Sequence, residues 1–369
     1  MLINTNISNN KKKILVVDDS TLMRRLMCDI INSDNRFQVV DQAFDGDAAY
    51  QLLKKNQYDG VVLDVNMPKM NGIQLLRMLQ KDKIRARVMM ASTDTKEGAA
   101  VTMEALDLGA IDFIEKPANV VYLKGSEFYN NFLETLQAVV TSRQTNIQAV
   151  PLIPRAKQEE QTQKLVNIVR KSAPVVTGQK VVALACSTGG PKALQSVVPM
   201  LPAELAAPVL IVQHMPKGFT QSLAERLNTL SKIRVKEAAE GDVLENGVVY
   251  ISMGGKHMNV VTKGGRAVIK YTDEPPREGV KPCANYMYES LQTSNFAQIV
   301  CVVLTGMGAD GTKGIVNLKT SKKIHVIAQN EATSTVYGMP KAITATGLVN
   351  QVVALDDVAQ EIIMNVGVR

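Results

Sequence analysis

Two sets of residues in this 369-residue chain could do chemistry. The first is built on oxygen and charge: Asp18, Asp19 and Asp64, the hydroxyl of Ser92 and the amine of Lys116. Three carboxylates brought together repel one another and are tolerated when a cation sits among them. A hard, oxygen-preferring ion such as Mg²⁺ suits that set. The lysine and the hydroxyl suit a phosphoryl group on Asp64, since a carboxylate can carry one as an acyl phosphate. The second set is Ser187, His214 and Asp310: a nucleophile, a general base and an acid to orient the base. Ser187 lies in Cys186-Ser187-Thr188-Gly189-Gly190-Pro191, close to a G-x-S-x-G elbow but with Ala185 where the first glycine would stand. Taken alone, that stretch reads as an ordinary βα loop or a weak phosphate cradle. It becomes a nucleophile site only if the base and the acid reach it.

The elements that must position the first set alternate regularly. Ile14–Val17 reads as a short buried strand ending at Asp18-Asp19-Ser20, and Met23, Leu26, Met27, Ile30 and Ile31 mark one face of a helix. Strands follow at Val39–Val40, Val61–Leu63, Val88–Ala91 and Ile111–Ile114, with a helix at Ala48–Lys54 and a turn at Asn71-Gly72. Five such alternations predict a parallel, doubly wound, flavodoxin-like sheet. Its reactive residues fall at strand C-termini, where such sheets bind ligands. An aspartate that merely ends a strand or caps a helix is commonplace; Asp-Asp, Asp-x-x-Met-Pro, Ser and Lys-Pro at successive strand ends are not.

For the second set, Val181–Ala185 and Pro208–Val212 read as buried strands ending at the serine and at Gln213-His214, and Ile299–Leu304 leads into a Gly-rich loop with Asp310. Val248–Ser252, Met258–Val261 and Ala267–Lys270 read as a small antiparallel insertion, and Ile324–Ala328 as a further strand, in a mainly parallel α/β sheet. The chain has three histidines. His325 lies within an apolar strand, and His257 follows a Gly-Gly turn and could line a cleft. His214 alone shares the rim of Ser187. The order Ser…His…Asp disfavours the α/β-hydrolase fold, whose order is Ser…Asp…His.

Composition bounds the rest. The length predicts two domains, each able to bury its own core. Between them, Ser142–Gln179 is rich in Gln, Lys, Arg, Glu and Pro and reads as a charged tether, with one helix expected near Leu165–Lys171. No apolar run approaches a membrane span, so direct membrane insertion is not expected. The polar start, with no apolar signal core, predicts a cytoplasmic protein. Four scattered cysteines without a C-x-x-C imply neither disulfides nor zinc. A net charge of +7 suggests nucleic acid at first, but tryptophan is absent, aromatics are only 4%, and no helix-turn-helix stands out, so no nucleic-acid partner is expected.

Over roughly Lys12–Phe132 the chain resembles the receiver domain of two-component response regulators. The resemblance implies that Asp64 is the phospho-acceptor and that Asp19, Asp64 and the Asn66 carbonyl bind Mg²⁺, beside Asp18. It also makes Ser92, Lys116 and Phe113 the switch hydroxyl, lysine and aromatic. From about Lys180 onward, CSTGGPKAL, QHMP, LTGMGADGTKG and QNEATSTVYGMPKA resemble the C-terminal domain of chemotaxis-specific protein-glutamate methylesterases (CheB). That likeness implies a Ser187–His214–Asp310 triad that needs no cofactor, and an oxyanion hole using the Met307 N–H with Thr188 nearby. It further implies hydrolysis of γ-glutamyl methyl esters on chemoreceptors, with deamidation of receptor glutamines as a second activity. A chemotaxis histidine kinase would be the phosphodonor, and phosphorylation would relieve occlusion of the catalytic rim. The expected domains are 12–132 (receiver), 133–179 (linker) and 180–369 (methylesterase).

Two departures stand out. Ala185-Cys186 replaces the family's usual Gly-Ala before the serine, and Val280-Lys281-Pro282-Cys283 replaces a basic His-Arg-Pro-Ser stretch. They motivate the alternative of a catalytically degenerate docking protein in the chemosensory array.

Overall fold

The structure, a computed structural model, describes residues 11–93, 95–117, 127–143, 162–163 and 178–369. Most of the expected tether, with its helix near Leu165–Lys171, lies outside them. Two compact units result, each built on its own sheet.

The first sheet holds β1 (Lys12–Val17), β2 (Phe37–Ala43), β3 (Gly60–Asp64), β4 (Val88–Ser92) and β5 (Asp112–Glu115) in the order β2-β1-β3-β4-β5, every neighbouring pair parallel. β3 and β4 are buried along their whole length, as strands covered by helices on both faces must be. The helices are α1 (Thr21–Ser33), α2 (Gly46–Lys55), α3 (Gly72–Lys81), α4 (Lys96–Asp107) and α5 (Glu127–Thr141). Ser20 caps α1 and Asp45 caps α2. Asn71-Gly72, expected as a turn, is the start of α3: the Asn71 side chain accepts the Gln74 N–H and the Gln74 side chain accepts the Asn71 N–H. The chain leaves β1 in one direction and β3 in the other, so the switch in strand order falls between them. Val17 lies opposite Leu63, which sets Asp18 across from Asp64.

The second sheet has seven strands: β6 (Lys180–Cys186), β7 (Val209–Gln213), β8 (Arg234–Glu237), β9 (Val248–Ile251), β12 (Gln298–Val303), β13 (Lys323–Gln329) and β14 (Gln351–Val353). Their order is β14-β13-β12-β6-β7-β9-β8, and every pair is parallel. The antiparallel part is smaller than the sequence suggested. It is the hairpin of β10 (His257–Lys263) and β11 (Arg266–Thr272), whereas Val248–Ile251 joins the main sheet. That strand is Val-Val-Tyr-Ile, apolar on both faces and buried throughout, which an interior parallel strand requires and a half-exposed hairpin does not. Helices α6 (Gly190–Val197), α7 (Phe219–Leu230), α8 (Ala284–Ser290), α9 (Thr312–Lys319), α10 (Met339–Thr344) and α11 (Val358–Val366) accompany this sheet. β6 is the central strand, with β7 on one side and β12 on the other, so here too the strand order reverses at the first strand of the unit.

Candidate active site

Ser187, His214 and the loop carrying Asp310 follow β6, β7 and β12, three adjacent strands. Cys186 lies opposite Gln213, so Ser187 and His214 are the next residues across that ladder, and the His214 N–H still donates to the Cys186 carbonyl at 3.2 Å. Neighbouring strands run roughly 4.8 Å apart. The Ser187 N–H donates to Thr305 O at 3.0 Å, tying the serine to the far strand as well. No hydrogen bond joins the Ser187 hydroxyl to the imidazole among the described residues. The two side chains are both only partly buried and stand on adjacent backbones.

Backbone packing makes this possible. The Gln213 amide, 2% exposed, donates to the carbonyls of both Ser187 and His214, each at 3.1 Å, while its oxygen accepts the Cys186 thiol at 3.1 Å. One side chain therefore ties the serine turn to the histidine turn. A Cβ at Gly190 would come within 1.9 Å of that Gln213 oxygen. At Gly306 a Cβ would lie 2.9 Å from Ser187 Cβ and 2.3 Å from Met339 Sδ, so glycine there lets the 305–307 backbone close on the serine. Neither tie was foreseen from sequence; Gln213 stood in a quoted motif, but only its position between two turns gives it a task.

His214 Nε2 lies 2.8 Å from Asp310 Oδ2. Asp310 is buried and also accepts the N–H groups of Ala284 (2.6 Å), Asn285 (3.0 Å) and Gly311 (2.8 Å) and the Cys283 thiol (3.0 Å). Burial alone would raise its pKa; the bond to His214, with those of Cys283 and Ala284, overcomes it and holds the carboxyl near 2. It is a fixed negative charge at any ordinary pH. An ionised carboxylate only accepts, so Nε2 carries the proton and Nδ1 is the ring nitrogen with a free lone pair.

Met307, beyond Gly306, is 37% exposed, and no described protein group accepts its N–H. Thr188 is buried, with its carbonyl accepting the Thr305 hydroxyl at 3.0 Å. Cys186 is buried too, and desolvation pushes its thiol far up, away from nucleophilic character.

In the first unit, Asp18, Asp19 and Asp64 offer carboxylate oxygens that all lie within 4.8 Å of one another. Asp18 and Asp64 are buried and Asp19 is exposed. Lys116 Nζ bridges Asp18 Oδ2 and Asp64 Oδ1, 2.7 Å from each. Burial raises Asp64 to about 6 against the pull of Lys116, and Asp18 adds to the rise. The Asn66 N–H reaches Asp64 Oδ1 only at 3.4 Å. Ser92 ends β4, buried, its carbonyl accepting the Lys116 N–H at 2.6 Å; Phe113 is buried in β5. A buried carboxylate this short of positive charge, with two more beside it, fits a divalent cation.

A receiver-domain family model, "Response regulator receiver domain", matches residues 14–125, and "CheB methylesterase" matches residues 182–362. A Pyrococcus abyssi protein named protein-glutamate methylesterase/protein-glutamine glutaminase is 41% identical over 359 residues, covering 97% of this chain and 94% of its own. The like-named Bacillus subtilis protein is 37% identical over 352 residues, 95% of this chain and 97% of that one. The crystal structure of the Thermotoga maritima CheB methylesterase catalytic domain, 35% identical, aligns with a TM-score of 0.50 over 52% of this chain and all of that one. The chain belongs to the CheB methylesterase family.

In this chain the two remaining histidines are committed elsewhere. His325 Nε2 meets Gln351 Oε1 at 2.9 Å, between β13 and β14. His257 lines no cleft: it is fully buried, with Nε2 against the carbonyls of Glu274 (3.1 Å) and Pro275 (3.2 Å) and Nδ1 accepting the Cys283 N–H at 3.2 Å. Burial lowers its pKa, so it stays neutral and fixed in one tautomer. Cys283 is buried against Asp310 as well, so that departure from the family pattern bears on the orienting acid. The short helix α8, which begins at Ala284 after an N-cap Cys283 that makes no side-chain cap bond, carries no start signal in its sequence.

Proposed function

We propose that this protein hydrolyses glutamate γ-methyl esters on chemoreceptors under the control of phosphorylation at Asp64, and that Ser187, His214 and Asp310 carry the reaction. The observation that supports this most is the 2.8 Å contact of His214 Nε2 with Asp310, His214 itself following the strand next to that of Ser187. His214 Nδ1 takes the Ser187 proton as Oγ attacks the ester carbonyl, and the new oxyanion is stabilised by the Met307 N–H, with Thr188 nearby. The tetrahedral intermediate collapses, the C–OCH₃ bond breaks, and the imidazolium returns the proton to give methanol. Water, deprotonated by His214, then cleaves the glutamyl-serine ester, leaving glutamate and the free hydroxyl. An amide in place of the ester loses ammonia by the same steps, which is the glutaminase activity in the relatives' names.

Asp18, Asp19, Asp64 and the Asn66 carbonyl would hold Mg²⁺, which would neutralise charge on an incoming phosphoryl group. Lys116 would pair with a phosphoryl oxygen, and Ser92 and Phe113 would respond to its arrival. The phosphodonor is a histidine kinase of the chemosensory system. The working domains are a receiver from residue 12 to the end of α5 at Thr141, nine residues beyond the expected boundary at 132 because Leu133, Leu136, Val139 and Val140 pack into its core, and a methylesterase over 180–369. Among the described residues no helix is long and apolar enough to cross a membrane.

The test is methanol release from methylated receptor by the full chain, with and without a small phosphodonor. Ser187→Ala is expected to lower release by about 10³-fold or more; retained activity would move the nucleophile elsewhere. Nothing in the site favours the docking alternative.

A further inference from the structure

Asp310 receives five donors. Three are backbone N–H groups held by α8 and Gly311, and one is His214. The fifth is the thiol of Cys283, 3.0 Å from Oδ1 and the one donor, apart from the reacting imidazole, whose strength depends on side-chain type. The thiol is held firmly. Cys283 is fully buried, and its N–H is bound by His257, itself braced by two carbonyls and packed on Tyr286 with ring centroids 4.5 Å apart.

A donor on a carboxylate draws off negative charge, and that charge is what stabilises a protonated imidazole on the other oxygen. A thiol donates weakly, whereas a hydroxyl on a carboxylate makes a short, charge-assisted bond. We infer that Cys283 is a positioning residue that sets the strength of the base: by donating only weakly to Asp310 it leaves the carboxylate more of its charge and makes His214 more basic than a serine at this position would. The inference rests on the hydrolase reading above for its consequence in catalysis, though not for its electrostatics. The other ionisable groups facing this network are Tyr288, Glu289 with its partner Arg277, Cys186 and Cys301, and on the His257 side Lys281 and Glu274. They are unchanged by substitution at Cys283 and give a constant background.

The experiment compares Cys283→Ser and Cys283→Ala in the full chain by two readouts. One is the acid limb of the pH–rate profile for methanol release. The other is the ring titration of His214 by NMR, tractable with three histidines in the sequence. Cys283→Ser is expected to move both midpoints down by about half a unit, roughly threefold in rate on the acid limb, and Cys283→Ala to move both up by a similar amount. A role confined to packing would leave both midpoints in place while lowering stability. Unmoved midpoints, or shifts of the same sign in both variants, overturn the inference. If the alanine variant does not fold, the serine variant decides alone: a lowered midpoint supports it, and an unchanged or raised one overturns it. A chain that releases no methanol while its ring titration still follows residue 283 would sink the hydrolase reading and keep this one. Intact hydrolysis with an unmoved ring titration would do the reverse.

Discussion

The two units place a buried aspartate at the same point of the same architecture and give it opposite character. Asp64 ends the third strand of its sheet and Asp310 lies in the loop after β12, next to the central strand of the other, each beside the switch in strand order. Both are buried. Asp64 is raised to about 6 and Asp310 is held near 2. The difference lies in what surrounds the oxygens. Around Asp64 stand two more carboxylates, one lysine and a distant N–H; around Asp310 stand three close N–H groups, a thiol and an imidazole. A carboxylate short of donors is ready to take a cation and a phosphoryl group. One saturated with donors is a permanent charge that can orient a base but can itself accept nothing more. Strand-end position decides where a reactive residue sits; the count of donors decides what it does.

The sharpest way to break this comparison is to neutralise each aspartate in turn. Asp310→Asn is expected to lower kcat for methanol release by about 10³–10⁴-fold, because an amide cannot hold the Nε2–H tautomer. Asp64→Asn should leave basal turnover intact and abolish its stimulation by phosphodonor. Stimulation surviving in Asp64→Asn would remove that residue from control, and near-normal turnover in Asp310→Asn would remove the fixed charge from the mechanism.

A second measure concerns how firmly the rim is held. Gly190→Ala must displace the Gln213 amide, whose oxygen would otherwise meet the new Cβ at 1.9 Å. Misplacing two turns by part of an ångström is expected to cost up to about 100-fold in kcat with little change in KM. Gln213→Met, which keeps the volume and loses both donors, should reproduce it. Equal losses in kcat and 1/KM, or none, would deny Gln213 its positioning task.

The pH dependence of stability sharpens the contrast further. Asp310 is lowered from 3.8 to about 2 on folding, so the folded state binds its proton less readily than the unfolded chain. Its contribution, about 2 kcal/mol, is therefore complete above about pH 4 and is lost as pH falls through 2. Urea titrations of wild type and Asp310→Asn between pH 5 and 2 should converge as pH drops. The smallest effect expected is in the other unit. Asp64→Asn removes a buried charge beside Asp18 and should stabilise that unit by about 1 kcal/mol in Mg²⁺-free buffer, measured by thermal unfolding.

Much of this was written in residue order. Asp18-Asp19, Asp64, Ser92 and Lys116 each end or follow an apolar run, and because parallel strands bring all their C-termini to one edge, position in sequence was enough to place them together. The same reasoning put Ser187 and His214 on one rim. It failed where pattern and packing part company. Val248–Ile251 resembles a hairpin strand until its burial on both faces shows it to be interior. Asn71-Gly72 resembles a turn until the reciprocal Gln74 bond makes it a cap.

What the sequence by itself determined is which residue types stand at which strand ends, since alternating apolar runs and breaks are local and their periodicity is carried by neighbours in the chain. What only the tertiary structure decided is the state of each group: which nitrogen of His214 bears the proton, why Asp310 is permanently charged while Asp64 is not, and that Gln213 and Cys283 act on residues they do not follow. Those properties depend on donors arriving from segments up to 96 residues away, as His214 and Asp310 are, and electrostatic environment is set by distance in space.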